Sequence, residues 1–254
     1  MKKLLGKIIH KAGYSLVKNP VDPMQEYRSE PEFLELLAMC KPYTMTSVER
    51  MYSLYKATLY VLENKIPGDF VECGVWRGGS AMLVAKMLQT RNIPDRQLYL
   101  YDTFEGMSAP TNNDLDFRGK AAATLLEQHE DQKETSVWCL ADLNEVQHNM
   151  GLTGYKKENI HYVQGKVEDT IPSTVPKNGI GLLRLDTDWY ESTWHELIHL
   201  YPMLVSNGVL IIDDYGHWEG CRKAVDEYFK KEKINMLLNR IDYTGRIGIK
   251  TISV

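Results

Sequence analysis

The chain has 254 residues, 43% of them apolar and 25% charged, which suits one large α/β domain or a domain with a helical appendage and excludes wholesale disorder and collagen-like structure. Thirty Lys and Arg against thirty-four Asp and Glu leave a net charge of −4, unlike a dedicated nucleic-acid binder, and no run of about eighteen apolar residues offers a membrane span. Cys40, Cys73, Cys139 and Cys221 lie far apart with no C-x-x-C pair, so neither a zinc ribbon nor a disulfide framework is expected, and a reducing cytoplasm is the expected location.

Residues 1–21 carry five lysines and no acid. Leu4, Leu5, Ile8, Ile9, Ala12 and Leu16 recur at helical spacing, with Lys3, Lys7, Lys11 and Lys18 largely off that stripe. The pattern predicts a basic amphipathic helix over residues 1–18. It would either touch an anionic membrane surface peripherally or, the simpler reading, dock on its own domain or on a second subunit; a homo-oligomer is expected. Lysines interrupting the apolar stretch speak against a cleaved signal peptide. After Asn19-Pro20 and Asp22-Pro23, a helix is predicted from about Pro31 to Met39. A longer one follows Thr46 or Ser47, either of which can cap it, with Met51, Leu54, Tyr55, Thr58, Leu59 and Leu62 as its apolar stripe. Pro67-Gly68 closes this region, so residues 1–67 read as a helical cap and 68–254 as the main domain.

From there strand and helix alternate. DFVECGV (69–75) leads through a glycine turn into a helix over 80–89. QLYLYDTF (97–104), IHYVQGK (160–166) and IGLLRLD (180–186) read as strands, the last with the apolar continuity of burial on both faces. A helix at about 191–204, a strand GVLIIDDY (208–215) and a helix over 219–232 follow. INMLLNRID (234–242) and RIGIKTI (246–252) close the chain as a hairpin. Such alternation predicts right-handed crossovers and a mostly parallel sheet with an antiparallel edge. Residues 105–159 form a long insertion, with helices near 118–130 and 138–150. Insertions at the carboxyl ends of strands line the crevice of open α/β folds, so a lid or acceptor pocket is expected here; surface decoration is the alternative.

Acidic residues stand where the strands end. The glycine turn Glu72–Ser80 would present free N–H groups at the following helix start to an anion, although its spacing is not G-x-G-x-x-G. Asp102 ends the second strand, 28 residues past Gly74, where an acid can bind ribose hydroxyls; capping the turn Thr103–Gly106 is the alternative. Asp186 and Asp188 end the fourth strand, Asp213 and Asp214 the fifth. Carboxylates converging there would repel one another, and a hard divalent cation, Mg²⁺ above all, would relieve that repulsion. Asp186, Asp213 and Asp214 are the expected ligands. Asp188 is expected to cap the helix at 191, and a turn is the alternative role for Asp214. His217, three residues past Asp214, is a candidate general base, with a structural role as the alternative.

In this order, GDFVECGVWRGGS, LYLYDTFEGM, HYVQGKVEDTIP, LLRLDTDWYESTWHELIHLYPML and GVLIIDDYGHWEGCRKAVDEYF resemble the macrocin O-methyltransferase family across roughly residues 44–233. The resemblance implies S-adenosylmethionine-dependent, Mg²⁺-dependent methylation of a sugar hydroxyl. It also implies the class I methyltransferase fold, a Rossmann-like, mostly parallel seven-stranded sheet with helices on both faces and an antiparallel last strand. By that resemblance Glu72, Gly74, Gly78 and Ser80 hold the methionine part of the cofactor. Asp102, with Thr103 beside it, binds ribose. Gly165, Lys166, Val167 and Glu168 flank adenine, and Thr44 and Met45 close over the methionine end. Asp186, Asp213 and Asp214 match the family's metal ligands, and the 105–159 insertion would carry acceptor specificity. The acceptor would be a small molecule or glycan with vicinal hydroxyls, deprotonated by His217 or a carboxylate such as Asp186 or Asp188.

Three rivals predict other behaviour. Asp186-Thr187-Asp188 is a D-x-D, as in metal-dependent nucleotide-sugar glycosyltransferases. An aspartyl-phosphate phosphatase would want Thr or Val where Tyr190 stands. A non-catalytic scaffold would bind adenosylmethionine without methyl transfer.

Overall fold

The computed structural model describes residues 24–251. The basic helix expected over residues 1–18 lies outside the described residues. The chain divides into two compact units between Glu35 and Leu36, within helix α1 (Pro31–Cys40). In the first, Tyr27 is buried and its ring lies 5.5 Å from that of Phe33. Everything that follows belongs to the second. Helix α2 (Val48–Glu63) therefore falls in the same unit as the sheet rather than in a cap ending at residue 67.

Of the two expected caps for α2, Ser47 is the one used: its hydroxyl accepts from the N–H of Arg50. Strand β1 (Asp69–Cys73) leads into α3 (Gly79–Thr90), and β2 (Leu98–Asp102) into the insertion. There α4 (Ala122–Gln128) and α5 (Leu143–Gly151) are both shorter than expected. Then come β3 (Ile160–Gln164), a single turn α6 (Val167–Thr170), β4 (Ile180–Leu185) and α7 (Tyr190–Leu200). Strand β5 (Leu204–Ile212) starts earlier than expected and ends just before Asp213. Helix α8 (Glu219–Lys231) and the pair β6 (Asn239–Arg240) and β7 (Arg246–Ile249) complete the unit. Among the described residues no helix is long and apolar enough to cross a membrane.

The seven-stranded sheet has the order β3-β2-β1-β4-β5-β7-β6. Pairs among β1 to β5 are parallel, and β7 runs antiparallel to both β5 and β6. Central strands β1 and β4 are buried along their whole length, as strands covered on both faces must be. The expected strand over 234–242 shrinks to two residues. Its alternation is real, because Ile234, Met236 and Leu238 pack against the core while Leu237 is exposed. But β7 offers it pairing only at Asn239 and Arg240, so the inward side chains are held by packing without a ladder.

Candidate active site

The carboxyl tips of the strands are locked side by side by their own backbone. Gly165 N donates to Asp102 O (3.0 Å), Gly74 N to Tyr101 O (2.9 Å), Asp186 N to Cys73 O (2.8 Å) and Asp213 N to Leu185 O (2.9 Å). This rail sets Asp102, Gly74, Asp186 and Asp213 in a row beneath a cavity of about 210 Å³, at the end of the sheet where open α/β folds bind ligands. Gly74 has φ +82°, and a Cβ there would lie 1.9 Å from Asp186 O. Only glycine lets the β1 and β4 tips close on each other.

Of the expected cofactor contacts, Thr44, Met45, Gly74, Ser80, Asp102, Thr103, Lys166, Val167 and Glu168 line the cavity. Glu72 and Gly78 do not. Glu72 stands beside Arg184 in the β1–β4 register, is buried, and accepts from Arg184 Nη1 at 2.5 Å. Burial pushes its carboxyl up to about 7 against the pull of Arg184. Gly78 caps α3 with φ +91° and faces Val146 and Met150 of α5. Part of the turn's backbone is engaged in holding it, ahead of the helix start at Gly79. Val75 N and Trp76 N donate to Asp102 Oδ2 (2.7 and 3.1 Å), Phe104 N donates to Asp102 Oδ1 (2.7 Å), and Gly78 N donates to Val75 O. Asp102 thus does what the alternative reading assigned to it, capping the turn that follows, and also clamps the glycine turn. Burial pushes its carboxyl up while those three N–H groups hold it back.

At the other end of the cavity, oxygens of Asp186, Asp188 and Asp214 all lie within 4.8 Å of one another. Asp188 was expected to cap the next helix. It does not, because it takes a left-handed backbone (φ +67°) that turns the chain sharply out of β4. The first N–H of α7, that of Tyr190, is capped instead by Asp114 from the insertion, at 2.8 Å. Asp213, expected beside Asp186 and Asp214 as a ligand, has its carboxylate against two guanidiniums: Arg50, and Arg184 at 2.8 Å. Arg184 Nη2 also lies 2.7 Å from Asp186 Oδ2. Burial pushes the Asp188 carboxyl up to about 7, and burial together with neighbouring carboxylates raises Asp186 and Asp214 well above the usual range, despite Arg184 and Arg50. Asp214 Oδ2 is buried without a hydrogen-bond partner. An all-oxygen donor set with an orphaned buried carboxylate oxygen fits a hard divalent cation.

His217 does not line the cavity. It sits on the turn that starts at Asp214, its N–H donating to Asp214 O, and its Nδ1 lies 3.0 Å from the Tyr243 hydroxyl. Burial lowers its pKa, with Arg50 and Arg118 adding to the effect and Asp116 opposing it, which favours the neutral imidazole. The two residues sequence reasoning missed are the arginines. For Arg184 a signal existed: a lone arginine in a strand read as buried on both faces must be paired. Arg50 carried none, being one of four charged residues on an amphipathic helix.

Comparison with known proteins adds a family. The model of the macrocin O-methyltransferase (TylF) family matches residues 35–247. The demethyldecarbamoylnovobiocin O-methyltransferase of Streptomyces niveus is 34% identical over 203 residues, covering 80% of this chain and 74% of that protein. The mycinamicin III 3''-O-methyltransferase of Micromonospora griseorubida is 32% identical, covering 80% and 76%. A Streptomyces olivaceus enzyme, 32% identical with coverage of 80% and 74%, is an 8-demethyl-8-(2,3-dimethoxy-α-L-rhamnosyl)-tetracenomycin-C 4'-O-methyltransferase. Among solved structures, the O-methyltransferase NovP superposes with a TM-score of 0.70 at 30% identity, covering 83% of each chain.

Proposed function

Since the chain belongs to the macrocin O-methyltransferase family and is an O-methyltransferase, we propose that it moves the methyl group of S-adenosylmethionine to a sugar hydroxyl of a glycosylated small molecule, assisted by Mg²⁺. The glycosyltransferase reading of the D-x-D and the non-catalytic scaffold reading fall with that membership. The observation that carries the proposal is one cavity whose glycine-turn end lies beside Asp102 and whose far end holds Asp186, Asp188 and Asp214 within 4.8 Å. The name of the Streptomyces olivaceus relative points to a sugar-bearing acceptor, an L-rhamnoside.

When bound, the sulfonium supplies an activated methyl group and the cation an acidified hydroxyl. Thr44, Met45, Gly74 and Ser80 bracket the cofactor's methionine end, and Lys166, Val167 and Glu168 its adenine. Asp102 acts mainly by clamping the turn through Val75 and Trp76. Asp186 and Asp214 are cation ligands; the third carboxylate is Asp188, already within reach, or Asp213 once freed from Arg50. His217, whose pKa burial lowers, would offer Nε2 to the acceptor proton in the tautomer whose Nδ1–H donates to the Tyr243 hydroxyl oxygen.

Calorimetric titration with S-adenosylhomocysteine and Mg²⁺, followed by methyl transfer to a panel of L-rhamnosides, tests this. Asp186→Asn should abolish Mg²⁺ binding and turnover while leaving S-adenosylhomocysteine affinity within about two-fold. Unchanged Mg²⁺ affinity, or wild-type activity in the presence of chelator, sinks the metal assignment.

A further inference from the structure

Three rings from three distant segments meet beside the acidic cluster. Phe117 belongs to the insertion, His217 to the turn after β5, and Tyr243 to the turn between β6 and β7. Ring centroids are 5.3 Å apart for Phe117–His217, 6.0 Å for Phe117–Tyr243 and 5.9 Å for His217–Tyr243. Phe117 is 50% exposed and Tyr243 52%. A single exposed aromatic residue is ordinary and needs no account. Here the backbone beneath the rings is heavily fixed. Asp116 forms a β-bridge with Trp218, Gly216 N donates to Thr244 O, and the Thr244 hydroxyl donates to Asp213 O at 2.7 Å. Gly216 touches Tyr243 so closely that a Cβ would lie 1.9 Å from its carbonyl oxygen. The loops are pinned to the tip of β5, yet two of the three residues stay about half exposed.

The place of this wall selects its occupant. The His217 N–H closes a turn onto Asp214 O, which puts the His217 Cα within about 7 Å of the Asp214 Cα; the three ring residues stand just outside those that line the cavity, and the wall begins at this turn. A sugar hydroxyl held at the cluster puts the next group of the acceptor at that range. We infer that Phe117 and Tyr243 form the wall that receives an aromatic aglycone attached directly to the reacting sugar; this rests on the sugar-acceptor reading above. The rings meet edge to face at an interplanar angle of 63°, and a planar group would pack on their solvent-facing sides. A nucleotide sugar suits it poorly. Its diphosphate would have to lie between cluster and wall, beside the Asp214 and Asp116 carboxylates. Of the two cations near it, Arg50 is already paired with Asp213 and Asp242, and the Arg118 guanidinium lies over the Phe117 ring, 5.0 Å from its centroid.

The test is calorimetry on the full chain with S-adenosylhomocysteine and Mg²⁺ present. The probes are methyl α-L-rhamnopyranoside, 4-nitrophenyl α-L-rhamnopyranoside, 4-nitrophenol and dTDP-L-rhamnose. The aryl glycoside should bind about five- to ten-fold tighter than the methyl glycoside, the size of one good aromatic contact. Phe117→Ala and Tyr243→Ala should each cut that advantage to within two-fold, while Tyr243→Phe, which keeps the ring, should retain it. Equal or undetectable binding of the two rhamnosides, an advantage untouched by the alanine variants, or tighter binding of dTDP-L-rhamnose than of the aryl glycoside overturns the inference. If 4-nitrophenol alone binds as tightly as its glycoside and loses affinity in the alanine variants, the wall stands and the sugar reading falls.

Discussion

Asp114 is the insertion's anchor, and removing its carboxylate gives a sharp test of how the acidic cluster is held. It is fully buried. Its Oδ2 accepts from Thr111 N (2.6 Å) and the Thr111 hydroxyl (2.9 Å), and its Oδ1 accepts from Tyr190 N (2.8 Å), two residues past Asp188. In Asp114→Ala the hydroxyl can turn elsewhere, but two backbone N–H groups lose their partner, at roughly 1–3 kcal/mol each. One of them opens α7, where a lost cap alone costs about 1 kcal/mol. The expected destabilisation is roughly 3–5 kcal/mol, a fall in Tm of about 10 °C for a unit of this size. Asp114→Asn keeps one acceptor oxygen and should lose about half as much. Gly220 supplies an internal control, since a Cβ there would lie 2.1 Å from Asp114 Oδ1. Gly220→Ala should therefore be costly in the wild-type background and less so in Asp114→Ala, where the 3.0 Å approach of the new Cβ to Tyr190 N remains, a coupling of more than about 1 kcal/mol in a double-mutant cycle. Urea unfolding of the four proteins measures it. A loss below about 1 kcal/mol for Asp114→Ala, or an additive cycle, refutes the anchoring argument.

Arg184→Met should cost roughly 3–5 kcal/mol in urea unfolding, because it leaves Glu72 buried without its cation, and adding Glu72→Gln should recover part of that loss. Asp242 gives a pH test. Burial raises its carboxyl, but the Gly245 and Thr244 N–H groups, the Ser47 hydroxyl and Arg50 outweigh burial and bring it below the usual range. Its stabilisation is therefore complete above the unfolded carboxylate range and lost as pH falls through the depressed folded value; the stability gap between wild type and Asp242→Asn should be widest near neutral pH and narrow progressively as pH falls below the unfolded carboxylate range. Mg²⁺ titration of Asp188→Asn against Asp213→Asn identifies the third ligand: the variant that weakens binding by more than ten-fold marks it.

The fold was largely legible because its signals are local. Apolar runs bounded by glycine and proline marked β1, β2, β4 and β5, and their spacing required crossovers. What failed was the strand at 234–238, where period-2 burial was read as a ladder; alternation reports which side chains turn inward, and pairing depends on what the neighbour has left to offer. The two helices of the insertion were found near their expected places, but nothing in the sequence said that Asp114 would reach across to cap α7, since a carboxylate's remote partner leaves no mark on its own segment.

The site divides along the same line. Residues at strand ends were legible, because a sheet of this topology brings them to one edge whatever their identity. How the carboxylates share that edge was not, for it turns on two arginines and one backbone angle. Arg184 rises through the middle of the sheet on β4 and meets Glu72, Asp186 and Asp213 at once. Arg50 reaches in from α2 and joins Asp213 to Asp242 on the terminal hairpin turn. With Asp213 so engaged, the left-handed turn at Asp188 puts a different carboxylate against Asp186 and Asp214. The same pairing ties the hairpin turn to the tip of β5. Tyr243, next to Asp242, is thereby held over the turn that carries His217. The chemistry of the cluster and the shape of the wall beside it thus depend on one shared set of contacts, so loss of Arg50 should disturb both, while loss of the Phe117 ring should leave the cluster as it is.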